Sequence, residues 1–452
     1  NNQFSTLSLK GFGVEKMENS IIAAGAIMNY LKETMHNELN HICSIKKIDN
    51  SNFMWLDGFT IKNLELIYAH NGTSLFDILN HCSTHMGSRL LQRWIVLPLI
   101  DKEQIDWRLD IVESFLQNAD LAQQMSDSLN SIGDLERLVS KIAMMRVQPN
   151  ELYALINILK EISSIKNNFS SSQSPCLQKL SQDLIICNDL VELLTKYISP
   201  TAPNNILKGG AIAFGDDEEL DYYRRISTDA KELINDILKR EIEATGITSL
   251  KISYNNVFGY YLEVTNTHKD KVPESWIRKQ TLTNAERYIT EELKDLETKI
   301  LNAADFITRK ESTIYSNLLE QLKKWIEPLQ KNANILSQVD CLVSFAIVAK
   351  HNKYTKPQIT QDYVLNITEG RHPVIEKTLP IGTQYISNDV YLDKDNSQIA
   401  IITGPNMSGK SAYLRQTALI VLMAQIGCYV PALNAQIGIV DKIFTRVGAS
   451  DN

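Results

Sequence analysis

Residues Gly404-Pro405-Asn406-Met407-Ser408-Gly409-Lys410-Ser411 fit the phosphate-loop pattern GxxxxGK[ST]. No other stretch restricts the fold as much, because the pattern works only between a strand and a helix. An apolar run from Ile399 to Ile402 precedes the loop and reads as that strand, and a helical apolar pattern follows from Lys410 to Gly427. In such a turn, backbone N–H groups point at phosphate oxygens and the helix N-terminus adds a favourable field. Lys410 is placed to neutralise the β- and γ-phosphates and Ser411 to hold Mg²⁺. Gly404, Pro405, Asn406, Met407, Ser408 and Gly409 form the cradle. Pro405 would stiffen it, and Asn406 would bond a phosphate or an attacking water. The competing reading is a glycine-rich turn that binds nothing, which the agreement of pattern and context disfavours.

At 452 residues the chain is too long for one ordinary core, and length suggests about three domains. The net charge of −7 argues against a generally basic surface, though not against a local basic face. Six cysteines (Cys43, Cys82, Cys176, Cys187, Cys341, Cys428) are scattered without a CxxC pair, which fits a reducing cytoplasm. No stretch reads as long and apolar enough to span a membrane, and Thr417 to Ile426, the most apolar segment, is far too short. No secretion signal is visible in Asn1 to Lys10. After Ser411 there is no acid pair ending an apolar strand of the kind that nucleotide hydrolysis requires. Asp441 is the nearest imitation, and Lys442 stands where a second acid is expected. With no initiator Met at its start, the chain is expected to be a fragment with a curtailed nucleotide-binding domain.

Along the chain, Asn1 to Thr34 ends in a helical segment with Ile21, Ala24, Met28 and Leu31 on one face. Thr73-Ser74-Leu75-Phe76-Asp77 reads as a capped helix start, and helical patterns run from there to about Tyr197. Pro149 and Pro175 mark breaks or first turns. A long helix is expected from Glu218 to Glu243, with the stripe Leu220, Tyr223, Ile226, Ala230, Leu233 and Ile237. It would reach about 40 Å. The period then switches to two. Leu250, Ile252 and Tyr254 alternate, Asn255-Asn256 offers a turn, Val257 to Val264 is rich in β formers, and Trp276 to Leu282 reads as a further strand. Thr283-Asn284-Ala285-Glu286 has the form of a capping box that restarts a helix carrying Leu293, Leu296, Ile300, Ala303, Ile307, Ile314, Leu318 and Leu322. Two long helices bracketing a β insert imply a β knob on an antiparallel helical arm. From Lys353 onward the pattern is α/β.

These features together resemble the MutS family of DNA mismatch-repair ATPases, essentially end to end. The carrying stretches are TGPNMSGKSAYLRQTALIVLMAQIGCYVPA, EGRHPVIE (Glu369 to Glu376), IFTRVGASDN (Ile443 to Asn452), YNNVFGYYLEVTN, RKQTLTNAERYITEELKDLE and GFGVEKMENSIIAAGAIMNYLKET. The last resembles the end of a connector domain and favours the mismatch-repair branch. The resemblance implies a multidomain fold: a mainly α-helical lever core, a β-rich clamp insert, and a truncated α/β phosphate-loop ATPase domain. It divides the chain into a connector end (1–38), a lever core (39–245 and 300–350), a DNA clamp (246–299) and the start of the ATPase domain (351–452). The family's mismatch-reading domain with its Phe-x-Glu wedge, its second acidic strand motif, its trans-acting serine segment and its C-terminal dimerisation helices find no counterpart here. Ala412 stands where the family usually has Thr.

The resemblance further implies that Tyr385, in Tyr385-Ile386-Ser387-Asn388-Asp389, stacks on adenine. Lys410 and Ser411 are its catalytic candidates, ATP and Mg²⁺ its cofactors. In the insert, Lys269, Lys271, Arg278, Lys279 and Arg287 outnumber Asp270, Glu274 and Glu286. A basic face of this kind grips phosphates without reading sequence. Lys271, Arg278, Lys279, Asn284 and Arg287 are the expected DNA contacts. The expected partners are double-stranded mismatched DNA, a second subunit in a homodimer and a downstream repair protein, in a cytoplasmic, nucleoid-associated setting without a membrane. His81 and His85 are four apart with Cys82 between, but no partner motif completes a zinc site, and His372 reads as a loop-packing residue. The alternatives are a DNA-binding scaffold without hydrolysis and a chromosome-organising ATPase with a coiled-coil arm. The arm here is too short and too interrupted for the latter.

Overall fold

A computed structural model describes residues 17–34, 52–69, 72–255, 259–380, 382–405 and 408–445, with positions 3, 9, 14, 15, 42 and 45. The chain begins with α1 (Glu18–Glu33), β1 (Trp55–Leu56), α2 (Gly58–Asn63), α3 (Leu75–Leu79) and α4 (His85–Val96). It continues through α5 (Lys102–Gln117), α6 (Ala119–Ile132), α7 (Leu135–Ala143), α8 (Pro149–Ser170), α9 (Pro175–Asp183) and α10 (Asn188–Tyr197). Next come α11 (Glu218–Thr228), α12 (Ala230–Thr245), β2 (Lys251–Asn255), β3 (Gly259–Thr265), β4 (Ile277–Thr281), β5 (Ala285–Ile289) and α13 (Glu291–Leu322). The remainder is α14 (Ile326–Asn352), β6 (Gln358–Thr360), β7 (Val364–Gly370), α15 (Ile375–Thr378), β8 (Asn388–Asp393), α16 (Lys410–Gln425), β9 (Asn434–Gly438) and β10 (Lys442–Ile443). Two compact units result, one of residues 1–146, 157–187 and 324–452, the other of residues 147–156 and 188–323.

The first unit is organised around α14, which packs against α4, α5, α6 and α7. Sixteen of its residues are buried, so it is apolar nearly all round, as a central helix must be. The stretch Asn302–Asn352 is, by length and composition, apolar enough to cross a membrane, which corrects the sequence expectation; most of its apolar window is buried inside the protein. Within α14 sits Asp340, 1 % exposed. Its carboxylate accepts from the Ser83 and Thr84 N–H groups, both at 2.8 Å, and from Thr84 Oγ1 at 2.6 Å. A buried acid needs such partners. Burial still holds its pKa above the ordinary carboxylate value. A Cβ on Gly87 would come within 2.2 Å of Asp340 Oδ2, so the close approach of α4 to α14 requires glycine there.

Caps and first turns fall where the sequence places them in both units. Ser74 and Asp77 form a reciprocal capping box on α3, and Pro149 and Pro175 open α8 and α9. In α1, the predicted stripe of Ile21, Ala24, Met28 and Leu31 is half-buried while the positions between are exposed. Strands β6, β9, β7 and β8 make a mixed sheet in that order, with β6 parallel to β9 and the other pairs antiparallel. The apolar run Ile399–Ile402 is not a strand, contrary to expectation. Ile399 and Ile401 are 83 % and 86 % exposed. Among the described residues no strand lies alongside this run, so it has neither ladder partners nor a face to bury.

In the second unit, α11 and α12 replace the single long helix expected from Glu218 to Glu243. The break is Asp229, at φ −110° and ψ 22°. Ser227, Thr228 and Asp229 are poor helix formers that compete for backbone bonds. Thr228 Oγ1 donates back to Arg224 O at 3.0 Å, and Asp229 O accepts from Glu232 N and Leu233 N as the next helix begins. The insert is a four-stranded antiparallel sheet ordered β2-β3-β5-β4. Leu250, Leu262, Val264, Trp276 and Tyr288 pack with Ile237 of α12 and Leu293 of α13 to form its core.

Ala285–Ile289 is therefore a strand and not the start of a helix, a further correction. The capping-box pattern at Thr283–Glu286 loses to cross-strand pairing. β5 lies between β3 and β4, and burial of Ala285, Tyr288 and Ile289 outweighs the local signal. The cap that operates is Thr290, whose Oγ1 accepts from Leu293 N at 3.1 Å, one residue beyond β5. The helical stripe predicted from Leu293 to Leu322 lies on α13. A buried ion group ties the far end of this unit together. Glu311, 0 % exposed, accepts from Gly210 N at 3.0 Å, Ala211 N at 2.9 Å and the Arg224 guanidinium at 2.7 Å.

Candidate functional site

The phosphate-loop sequence lies where the chain turns into α16. Gly409 is left-handed, at φ 87°, and Lys410 begins the helix. That conformation favours glycine, which explains the residue between Ser408 and Lys410. The first turn of α16 carries no acidic residue and no side-chain cap. Its N–H groups are thus left to an external acceptor, and the helix field there favours an anion. The Lys410 ammonium folds back onto the loop, donating to Gly404 O and, at 2.8 Å, to Pro405 O. Ser408 N donates to Pro405 O at 3.3 Å. Ser411 and Gly404 are exposed. Asn406 and Met407 lie outside the described residues.

Tyr385 precedes β8 and is half-buried. Its hydroxyl donates to Gln416 Oε1 at 2.9 Å, and burial raises its phenol pKa. The same helix reaches this segment a second time, because Tyr413 OH donates to Asp389 O at 2.9 Å. The segment carrying Tyr385 is thus bonded to the helix that starts at Lys410. Gln416 was not singled out in the sequence, although a polar residue entering the apolar run Thr417 to Ile426 is a usable signal.

His372 is 5 % exposed and caps α15, with Nδ1 accepting from Val374 N at 3.3 Å and Ile375 N at 3.2 Å. Burial, assisted by Arg415, lowers its pKa to about 4. Both N–H bonds require unprotonated Nδ1. The unfolded chain protonates near the ordinary value of about 6.5, so it binds more protons than the folded one between pH 6.5 and 4. Stability should therefore be complete above pH 6.5 and fall as pH drops toward 4, by roughly 3 kcal/mol in all. Urea midpoints of wild type and His372→Asn across that range would show it. The asparagine retains a capping oxygen without a titrating proton and should flatten the curve; parallel curves would refute the assignment. His81 lies outside α4 while His85 opens it, and among the described residues no group of three or more His, Cys, Asp or Glu converges to hold a metal ion.

The clamp candidates lie on β4, on β5 and in the connections that flank β4. β4 is an edge strand, nearly all exposed. Its register against β5 shifts between Arg278 and Gln280, so Lys279 is the extra residue of a bulge. Bulges re-aim side chains. Lys279 and Lys271 are exposed and have no ion-pair partner among the described residues. Asn284 is exposed in the β4–β5 turn. Arg278 is 62 % exposed and lies 3.4 Å from Glu286. Arg287 is bonded inside the sheet: it donates to Glu263 at 3.3 Å and Gln280 at 2.8 Å, and its guanidinium lies 4.4 Å from the Tyr261 ring centre.

A helical core, a four-stranded insert mounted between helices, and a phosphate-loop sequence opening a helix beside a mixed sheet define a class of multidomain protein. Residues 59–346 match MutS domain III and residues 400–452 match MutS domain V. The chain belongs to the MutS family. It is 52 % identical over 453 residues to a protein of Flavobacterium psychrophilum named DNA mismatch repair protein MutS, covering 100 % of this chain and 52 % of the relative. Proteins of the same name from Christiangramia forsetii and Bacteroides fragilis are 50 % and 51 % identical, covering 100 % and 99 % of this chain and 52 % of each relative. The chain thus spans about half the length of the curated relatives it matches.

Proposed function

We propose that this chain belongs to an ATP-responsive protein that recognises mismatched DNA and initiates repair. The observation that carries the reading is Lys410: its ammonium is held by two loop carbonyls at the mouth of a helix whose first turn lacks acid or cap. Those residues fit a triphosphate. Gly404, Pro405, Asn406, Met407, Ser408 and Gly409 would cradle it, Lys410 would neutralise it and Ser411 would ligate Mg²⁺. Tyr385 would offer its ring to the base. Bound Mg²⁺–ATP would supply the binding free energy that distinguishes two states of the protein. In the whole protein this chemistry extends to DNA-dependent ATP hydrolysis, in a homodimer that engages a downstream repair protein in the cytoplasm, at the nucleoid. The proposed division is a connector end at 1–38, a lever core at 39–245 and 300–350, a clamp at 246–299 and part of an ATPase domain at 351–452.

The four-stranded insert would grip the duplex backbone through Lys271, Arg278, Lys279 and Asn284. Arg287 would join them through its remaining N–H groups, while Nε and Nη1 fix the sheet. Contacts of this kind give affinity without sequence information. Lys279→Glu should therefore weaken binding to homoduplex and to a G·T duplex by similar factors, about tenfold each at low salt. Anisotropy titrations with both duplexes measure this, and a loss confined to the mismatch would contradict it.

A further inference from the structure

The amide of Gln416 is 0 % exposed, yet only its oxygen has a hydrogen-bond partner, the Tyr385 hydroxyl at 2.9 Å. Its Nε2 is buried without one among the described residues. Burying an amide half-satisfied is unfavourable, and an apolar side chain of similar size would fill the space at less cost. The neighbouring backbone also makes room for it. A Cβ on Gly370 would lie 2.6 Å from Gln416 Nε2 and 3.1 Å from Asn388 O. The missing side chain at the end of β7 is where the amide sits. Gln416 lies six residues beyond Lys410 on the same helix.

We propose that Gln416 is a positioning residue for the nucleotide: it fixes the Tyr385 ring to α16, so that the base platform and the phosphate-binding end are parts of one rigid element. The proposal rests on the reading of Lys410 and Tyr385 as a nucleotide site. Its chemistry is a directed hydrogen bond that orients an aromatic face. Gln416 itself touches neither base nor phosphate. Removing the bond leaves the ring half-buried but free to rotate and shift, so affinity is lost only for ligands that carry a base.

The test uses the full chain and compares ATP with inorganic tripolyphosphate, both with Mg²⁺, by calorimetry. Gln416→Met, which preserves volume, should weaken ATP about fivefold and tripolyphosphate less than twofold. Tyr385→Phe should do the same, and the double variant should be no weaker than either single one, because both remove one bond. Equal losses for the two ligands would overturn the proposal, since Gln416 would then act on the loop or the fold. So would additive losses in the double variant. If wild type bound ATP well and Gln416→Met bound it equally, positioning would fail while the nucleotide site stood. If wild type bound ATP no better than tripolyphosphate, the base platform itself would fall.

Discussion

Replacing Lys410 with alanine is expected to abolish ATP retention by the full chain in equilibrium dialysis, a loss of about two to three orders of magnitude. The size follows from what the side chain does. Its ammonium is the only cation within the described part of the loop, and it bonds Gly404 O and Pro405 O. A triphosphate would compete for that ammonium and gain charge-assisted bonds, each worth roughly 1.5–3 kcal/mol. Alanine removes those bonds and leaves two carbonyl oxygens facing an anion. Helix-terminus N–H groups remain, but alone they offer only partial charge. Arginine is not a substitute, because the site needs a compact point charge on a flexible stem. Unchanged retention by Lys410→Ala would remove the nucleotide from this loop. Circular dichroism of the variant should match wild type, since Lys410 is only half-buried.

Glu311→Ala is expected to destabilise the second unit by about 3–5 kcal/mol. Glu311 is fully buried and engages three donors, two of them backbone N–H groups of the Gly210–Ala211 turn. The third is Arg224, whose side chain is 8 % exposed and lies 4.7 Å from the Phe214 ring centre. Without Glu311 the guanidinium keeps Asp221 at 3.1 Å and two carbonyls, but the buried Ala211 N–H and the partly buried Gly210 N–H lose their acceptor. Most of the loss is the cost of stranded polar groups, not the net worth of the pair. Hydrogen exchange at the Gly210 and Ala211 amides should accelerate in step with the fall in thermal midpoint. Pairing Glu311→Ala with Arg224→Met should cost less than the two single losses added, because both remove the same ion pair. Strictly additive losses would show that Arg224 does not depend on Glu311.

Local rules read the sequence well where nothing distant competes. The Ser74–Asp77 box, the Pro149 and Pro175 helix starts and the stripe from Leu293 to Leu322 all follow from caps and period. The errors arise where a distant partner decides. Thr283–Glu286 has the composition of a helix start, but pairing of Ala285–Ile289 between two strands outweighs it. Ile399–Ile402 has a strand's composition but no neighbour to pair with among the described residues. The break at Asp229 was legible in Ser227-Thr228-Asp229, but the apolar stripe continues across it and hides it. Of the candidate sites, the loop was readable because its motif is contiguous. The tie between Tyr385 and Gln416 joins positions 31 apart and has no local signature. Arg287 has a second, in-sheet role that composition does not reveal: the fold bonds it to Glu263 and Gln280 across the strands.

The joint between β5 and α13 consists of Thr290 alone, and Thr290 is itself bonded to the first helical turn. Such a joint has no slack. A sideways load on the sheet becomes torque on a shaft of 32 residues, about 48 Å long. Five degrees of tilt would then carry the distant tip through about 4 Å. Gearing of this kind turns a small yielding of the sheet into a displacement as large as a side chain.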